Sequence, residues 1–194
     1  MAIAKQLQPK TALLFSKADR FELSLCQLMN RMGYNRSVRL FFKGISRAGD
    51  GEFWYVLGLL LPLIFGIEGL AALGHMAITG LLCVGIYSQL KNRLVRQRPY
   101  ISFAAIQAHT APLDLYSFPS GHTMNAVNFT VLISFFFPLL FWVVAPFALL
   151  VALSRVILGM HYPTDVLVGA SLGMLLSYGS LAIWPAGMFA FIIY

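Results

Sequence analysis

Between Arg98 and the C-terminal Tyr194 the chain carries one basic residue, Arg155. A soluble domain keeps about a quarter of its residues charged so that its surface stays wet. Here the charged share is 11%, the hydrophobic share 59% and the mean hydropathy +0.76. The 14 lysines and arginines fall in three places: nine from Lys5 to Arg47, four from Lys91 to Arg98, and Arg155. A chain this apolar is not disordered, and a nucleic-acid binder would spread its cations over a polar surface. The net charge of +7 therefore predicts an integral membrane protein with one strongly basic side and no nucleic-acid partner. Cys26 and Cys83 form no disulfide framework or metal-type spacing. Lys17, Asp19, Arg20 and Glu22 interrupt the N-terminal stretch, so it is not expected to be a secretory signal.

A bilayer core of about 30 Å takes about 20 apolar helical residues. Five stretches meet or approach that length: residues 53–66, 69–90, 123–137, 139–158 and 164–183. Gly66-Ile67-Glu68-Gly69, Pro138 and Tyr162-Pro163 punctuate them, and Pro62 and Pro146 predict kinks. Before Gly49 the pattern changes. Phe21, Leu25, Leu28 and Met32 recur at helical spacing among polar residues, and Leu40, Phe41 and Phe42 sit beside Arg39 and Lys43. Such stretches suit helices lying in the interface; the alternative is one further span. The expected fold is an all-α, polytopic membrane helical bundle with about five transmembrane helices, or six, plus N-terminal interfacial amphipathic helices. Residues 1–50 form the basic amphipathic part and 51–194 the transmembrane domain, with Gly49-Asp50-Gly51 as a hinge.

If the spans alternate, nearly every ionisable residue collects at one membrane surface, and polar groups so placed mark a site. Three clusters stand there: Lys91 to Pro99, Pro119-Ser120-Gly121-His122, and Ser154-Arg155 with His161 and Asp165. Pro-Ser-Gly-His puts a turn directly before a helix, whose free N–H groups make an anion site. Ser120 is also an ordinary N-cap, so alone it decides nothing. His122 and His161 supply the two roles of hydrolysis through a phosphoenzyme, nucleophile and general acid or base. Asp165 begins the last helix, where it can reach back to a ring N–H or simply cap the helix. Lys91, Arg98 and Arg155 are counter-charges for phosphate oxygens. Arg93 and Arg96 read as snorkelling anchors. His75, mid-span, reads as hydrogen-bonded inside the bundle, and His109 as a loop residue. The seven acids include no pair with ligand spacing in these clusters, so neither a metal nor another cofactor is expected.

Together the clusters resemble the three-part signature of the type 2 phosphatidic acid phosphatase superfamily: Lys-x6-Arg-Pro, Pro-Ser-Gly-His and Ser-Arg-x5-His-x3-Asp. Every defining position is filled, and the resemblance covers about residues 53–183, with nothing from the first 50. It implies a membrane lipid phosphate or diphosphate phosphatase in which His161 attacks phosphorus, aided by Asp165, and forms a phosphohistidine. It further implies that His122 protonates the leaving oxygen while Lys91, Arg98, Ser120, Gly121 and Arg155 hold the phosphoryl group. The implied partners are the bilayer and an anionic phospholipid or polyprenyl phosphate. Undecaprenyl diphosphate, phosphatidylglycerophosphate and phosphatidate all fit, with a lean to the first. The alternatives are a vanadate-dependent haloperoxidase-like enzyme, which the apolar spans disfavour, and a non-catalytic lipid-binding protein on the same fold. The expected location is a bacterial inner or plasma membrane. Positive-inside counting puts the active face in the cytoplasm, whereas the resemblance puts it outside, which is the side expected here.

Overall fold

A computed structural model describes residues 10–112 and 114–183. Residues 1–9 of the N-terminal part and 184–194 of the expected transmembrane domain lie outside them. The described chain is helical: α1 (Lys10–Met32), α2 (Arg36–Arg47), a π-helical turn (Ala48–Glu52), α3 (Phe53–Leu94), the short α4 (Pro99–Ser102), α5 (Gly121–Phe136), α6 (Phe141–Ile157) and α7 (Pro163–Ile183). Among the described residues three helical stretches are long and apolar enough to cross a membrane: Arg36–Ser102 taken through its bends, Pro138–Ile157 and Pro163–Ile183.

The break expected after residue 66 is a hairpin inside α3. Gly66 takes φ 58°, ψ −128°, a conformation open to glycine because it has no Cβ. The arms 53–65 and 67–94 then fold back on each other. At Gly69 they come so close that a Cβ would lie 2.1 Å from the Leu61 carbonyl oxygen. Pro62 is accommodated within the first arm.

α5 is the central helix, packed against α3, α6 and most extensively α7. Its contact with α7 runs along Gly169, Gly173 and Ser177, spaced four apart and buried. Small residues matter between apolar helices because lipid competes equally well for large side chains, leaving close backbone approach as the source of affinity. The apolar core around α5 includes Trp54, Met76, Leu132, Ile133, Val144 and Val151. A polar ladder crosses it: Asn128 Nδ2 donates to Thr79 Oγ1 (3.0 Å), Thr79 Oγ1 to the His75 carbonyl (2.9 Å), and His75 Nε2 lies 2.9 Å from Ser180 Oγ. His75 is thus hydrogen-bonded within the bundle, as its mid-span position suggested.

α1 and α2 pack on the bundle. Asn35 caps α2, accepting from the N–H groups of Ser37 (2.9 Å) and Val38 (3.3 Å). Phe42 and Ser46 are buried while Leu40 and Phe41 are exposed. Asn30, buried in α1, donates from Nδ2 to the carbonyls of Gln107 and Ile157 and accepts from Gln107 N–H, all within 3.0 Å. One side chain thereby ties α1 to the end of α6 and to the loop before α5.

The α5–α7 contact leaves no room for a side chain: a Cβ at Gly173 would stand 2.4 Å from the Met124 carbonyl oxygen. Gly173→Leu is expected to cost about 1–3 kcal/mol through overpacking, read as a lowered thermal midpoint in detergent. Gly74→Leu, where nothing lies within 4 Å, is expected to leave the midpoint unchanged.

Candidate active site

The ends of four helices converge at one end of the bundle. α3 ends at Leu94, one turn past Lys91, where Val95 adopts the left-handed region at φ 49° and its N–H donates to the Lys91 carbonyl at 3.2 Å. That reversal returns Arg96 and Arg98 to the interior, each 1% exposed. Ser120 is the N-cap of α5, its Oγ accepting from Thr123 N–H at 3.4 Å. Its own N–H donates to the Asp165 carbonyl at 3.0 Å, joining the Pro-Ser-Gly-His turn to the start of α7. After α6 the chain turns at Gly159 (φ 77°), and the N–H groups of Met160 and His161 both donate to the Arg155 carbonyl, at 3.0 and 3.1 Å. A Cβ at 159 would lie 2.4 Å from the Gln107 carbonyl oxygen, so glycine serves here on two counts.

Asp165 is fully buried between three partners. Its Oδ1 accepts from Arg96 Nη1 at 2.5 Å and its Oδ2 from Tyr162 N–H at 2.9 Å. Oδ2 also stands 3.5 Å from His161 Nδ1, longer than a well-made hydrogen bond, and that ring nitrogen has no hydrogen-bond partner among the described residues. His161 is 1% exposed. Burial, then the positive charges of Arg155, Arg98 and Lys91, hold its pKa well below the ordinary histidine value. At neutral pH its imidazole is uncharged, the form that has a lone pair to give.

The cations are also engaged. Asp114, from the loop before α5, bridges two of them: Lys91 Nζ donates to Oδ2 at 2.6 Å and Arg98 Nη2 to Oδ1 at 2.9 Å. Burial alone would raise the Asp114 carboxyl, but Lys91 and Arg98 outweigh it and hold the group below the usual carboxylate value. Arg98 Nη1 donates to the Met160 carbonyl at 2.8 Å, steadying the turn that carries His161. Arg155 Nη1 donates to Ser46 Oγ of α2, while its buried Nε has no partner among the described residues. His122 Nε2 contacts the Asp50 carboxylate. A cavity of about 490 Å³ opens here, lined by Asp50, Tyr87, Lys91, Asp114, Gly121 and His122 among others. Arg98, Arg155, His161 and Asp165 are buried outside its wall.

The candidate catalytic and phosphate-binding residues singled out from the sequence are thus gathered at this end, and Arg96 must be reassigned. It is no snorkelling anchor. Its guanidinium lies 3.9 Å over the Tyr162 ring and pairs with Asp19 (2.6 Å) and Glu22 (3.0 Å) of α1 as well as Asp165. Glu22 in turn accepts from Thr164 N–H and Thr164 Oγ1, both at 2.7 Å, capping α7 from another helix. His109 is more than a loop residue: it is buried, with Nε2 3.2 Å from the Asn30 carbonyl oxygen and its ring edge-on to Tyr34. Asp19, Glu22, Asn30, Ser46, Asp50 and Asp114 were not legible as site residues. The available signal was their scarcity: a chain with seven acids and a bilayer around it has few places to put them except against cations. Arg96→Met is expected to cost about 3–5 kcal/mol, because it strands buried carboxylates. Chemical or thermal unfolding in detergent reads the loss, and an unchanged stability would overturn the central place given to Arg96.

Comparison with known proteins agrees with this geometry. The PAP2 superfamily profile matches residues 68–188. Phosphatidylglycerophosphatase B of Bacillus subtilis is 33% identical over 144 residues, covering 67% of this chain and 61% of that protein. The chain thus spans less than two thirds of that relative's length. Undecaprenyl-diphosphatase of Sulfolobus acidocaldarius is 37% identical over 172 residues, covering 86% of this chain and 80% of that protein. The crystal structure of Aquifex aeolicus LpxE superposes with a TM-score of 0.71 at 25% identity, covering 84% of this chain and 95% of that one. A profile match over more than half its length, on a membrane bundle that gathers all three sequence clusters at one end, shows that the chain belongs to the PAP2 superfamily.

Proposed function

We propose that this chain is an integral-membrane lipid phosphatase that hydrolyses a phosphomonoester or diphosphate through a phosphohistidine. One observation carries the reading: a buried, neutral His161 beside Asp165 stands with Lys91, Arg98 and Arg155, all at a bundle end that also holds His122 and an α5 N-terminus. Oxygens of a phosphoryl group replace the Asp114 carboxylate on Lys91 and Arg98 and take the unpartnered Nε–H of Arg155. Ser120 and the N–H groups opening α5 complete the cradle.

With Nδ1 facing Asp165, the attacking atom is His161 Nε2. Its lone pair forms the P–N bond as the bond from phosphorus to the lipid oxygen breaks, and His122 gives that oxygen a proton. Water then attacks phosphorus, passing a proton to His122, and the P–N bond breaks to release inorganic phosphate. The cations stabilise charge on the equatorial oxygens, so no metal enters either step. The apolar helices keep acyl or prenyl chains in lipid while the headgroup reaches the span ends. The names of the relatives point to phosphatidylglycerophosphate and undecaprenyl diphosphate as the first substrates to try.

Purified protein in detergent with a chelator is expected to release inorganic phosphate from at least one of phosphatidylglycerophosphate, phosphatidate and undecaprenyl diphosphate. His161→Ala should abolish that release with the fold intact, and His122→Ala should lower it by about 10²–10⁴-fold. Full activity in His161→Ala would overturn the assignment of the nucleophile. The same reading puts the site outside the cytoplasm of a bacterial plasma membrane. A green fluorescent protein fused after Tyr194 is then expected to fluoresce, and a stable but dark fusion would reverse the orientation.

A further inference from the structure

Residues 1–50 contribute nothing to the family signature and precede the family match at residue 68, yet one of them reaches the reacting groups. Asp50 occupies the π-helical turn between α2 and α3, and its Oδ1 contacts His122 Nε2. The turn is wedged on both sides. Gly49 is buried, and a Cβ there would come 2.8 Å from Val151 of α6; Gly51 sits at φ 150°, where a Cβ would come 2.6 Å from the Tyr55 ring. With its neighbours held against α6 and α3, Asp50 is presented to the cavity that His122 also lines. Ser46, four residues earlier, holds Arg155, so this one stretch of chain reaches two groups of the site.

We propose that Asp50 is the positioning carboxylate of His122, keeping a proton on that imidazole for delivery to the leaving oxygen. The inference rests on the reading of His122 as general acid. A general acid must hold its proton when the bond to phosphorus begins to break, and the surroundings of His122 oppose that. Burial of the ring opposes the charged form first, then Arg155 of α6 and Lys91 of α3, and together they hold its pKa below the ordinary histidine value even against Asp50; His161 of the α6–α7 turn, itself held neutral, adds no charge. Asp50 is the carboxylate among the groups acting on it. A carboxylate against a ring nitrogen stabilises the protonated ring and fixes its orientation. As the P–O bond breaks, the proton passes from His122 to the lipid alkoxide; Asp50 keeps its charge throughout and accepts no atom.

The competing role is a tether that only fastens the α2–α3 turn to α5, and the leaving group separates the two. A lipid alkoxide cannot depart without a proton, whereas nitrophenolate can. Wild-type protein and Asp50→Asn are compared on phosphatidate in mixed micelles and on p-nitrophenyl phosphate, after thermal unfolding has shown both to be folded. The expected result is a kcat/KM loss about tenfold or more greater on phosphatidate than on the aryl ester, within the range of general acid catalysis. The alkaline limb of the phosphatidate kcat profile should also move to lower pH, because His122 loses its proton more readily without the carboxylate. Asp50→Glu, which restores the charge, is expected to recover part of the phosphatidate activity, and it carries the test if Asp50→Asn does not fold. Equal losses on the two substrates, no loss on either, or no recovery by Asp50→Glu would each overturn the proposal. Absence of phosphate release from any lipid by the wild-type protein would instead sink the phosphatase reading itself.

Discussion

The structure turns on a single buried guanidinium. Arg96 is 1% exposed in a protein whose surroundings are largely hydrocarbon, where an unpaired charge is costly. Asp19, Glu22 and Asp165 answer it, with the Tyr162 ring stacked on its face. Three carboxylates against one cation leave an excess of negative charge, and burial outweighs the pull of Arg96 to hold Asp19 above its ordinary pKa. Because the acids come from α1 and α7, the same cluster that satisfies Arg96 docks the N-terminal helix and fixes the start of the helix that carries Asp165. Glu22, capping α7 through Thr164, extends that coupling.

Around this hub the groups proposed to bind phosphate are held in place by protein partners. Asp114 engages Lys91 and Arg98, Ser46 engages Arg155, and Asp50 engages His122. Each contact limits the motion of a long or rotatable side chain, so little ordering remains for a substrate to bring about. Asp114 differs from the others in occupying two cations at once from a loop, with its side chain 39% exposed. In the proposed function it is the contact that a phosphoryl group displaces, so that anion and Asp114 compete for the same two cations.

Much of the architecture was legible in advance. Hydrophobic run length and the breaks at Gly66, Pro138 and Pro163 located the apolar helices, because a lipid environment forces backbone hydrogen bonds into local helices. The candidate site clusters were legible because their spacing is local: His161 and Asp165 lie on one turn-and-helix start, and Ser120 caps the helix that holds His122. Arg96 was misread for the same reason that Asp19 and Glu22 were overlooked. At the end of a span, a snorkelling arginine and a buried one have the same local sequence, and their distinction lies in partners 74 to 77 residues away.

A membrane helical bundle, and the set of residues that gather at one of its ends, follow from hydrophobic run length and short-range spacing. What those residues touch follows from the packing of distant segments. Arg96 pairs with α1, Arg155 with α2 and His122 with the turn after it because two helices and that turn dock where no local pattern records them. Long-range contacts between charges depend on how helix ends converge in space: packing along Gly169 and Gly173 brings α7 against α5, and the Arg96 cluster docks α1 beside them.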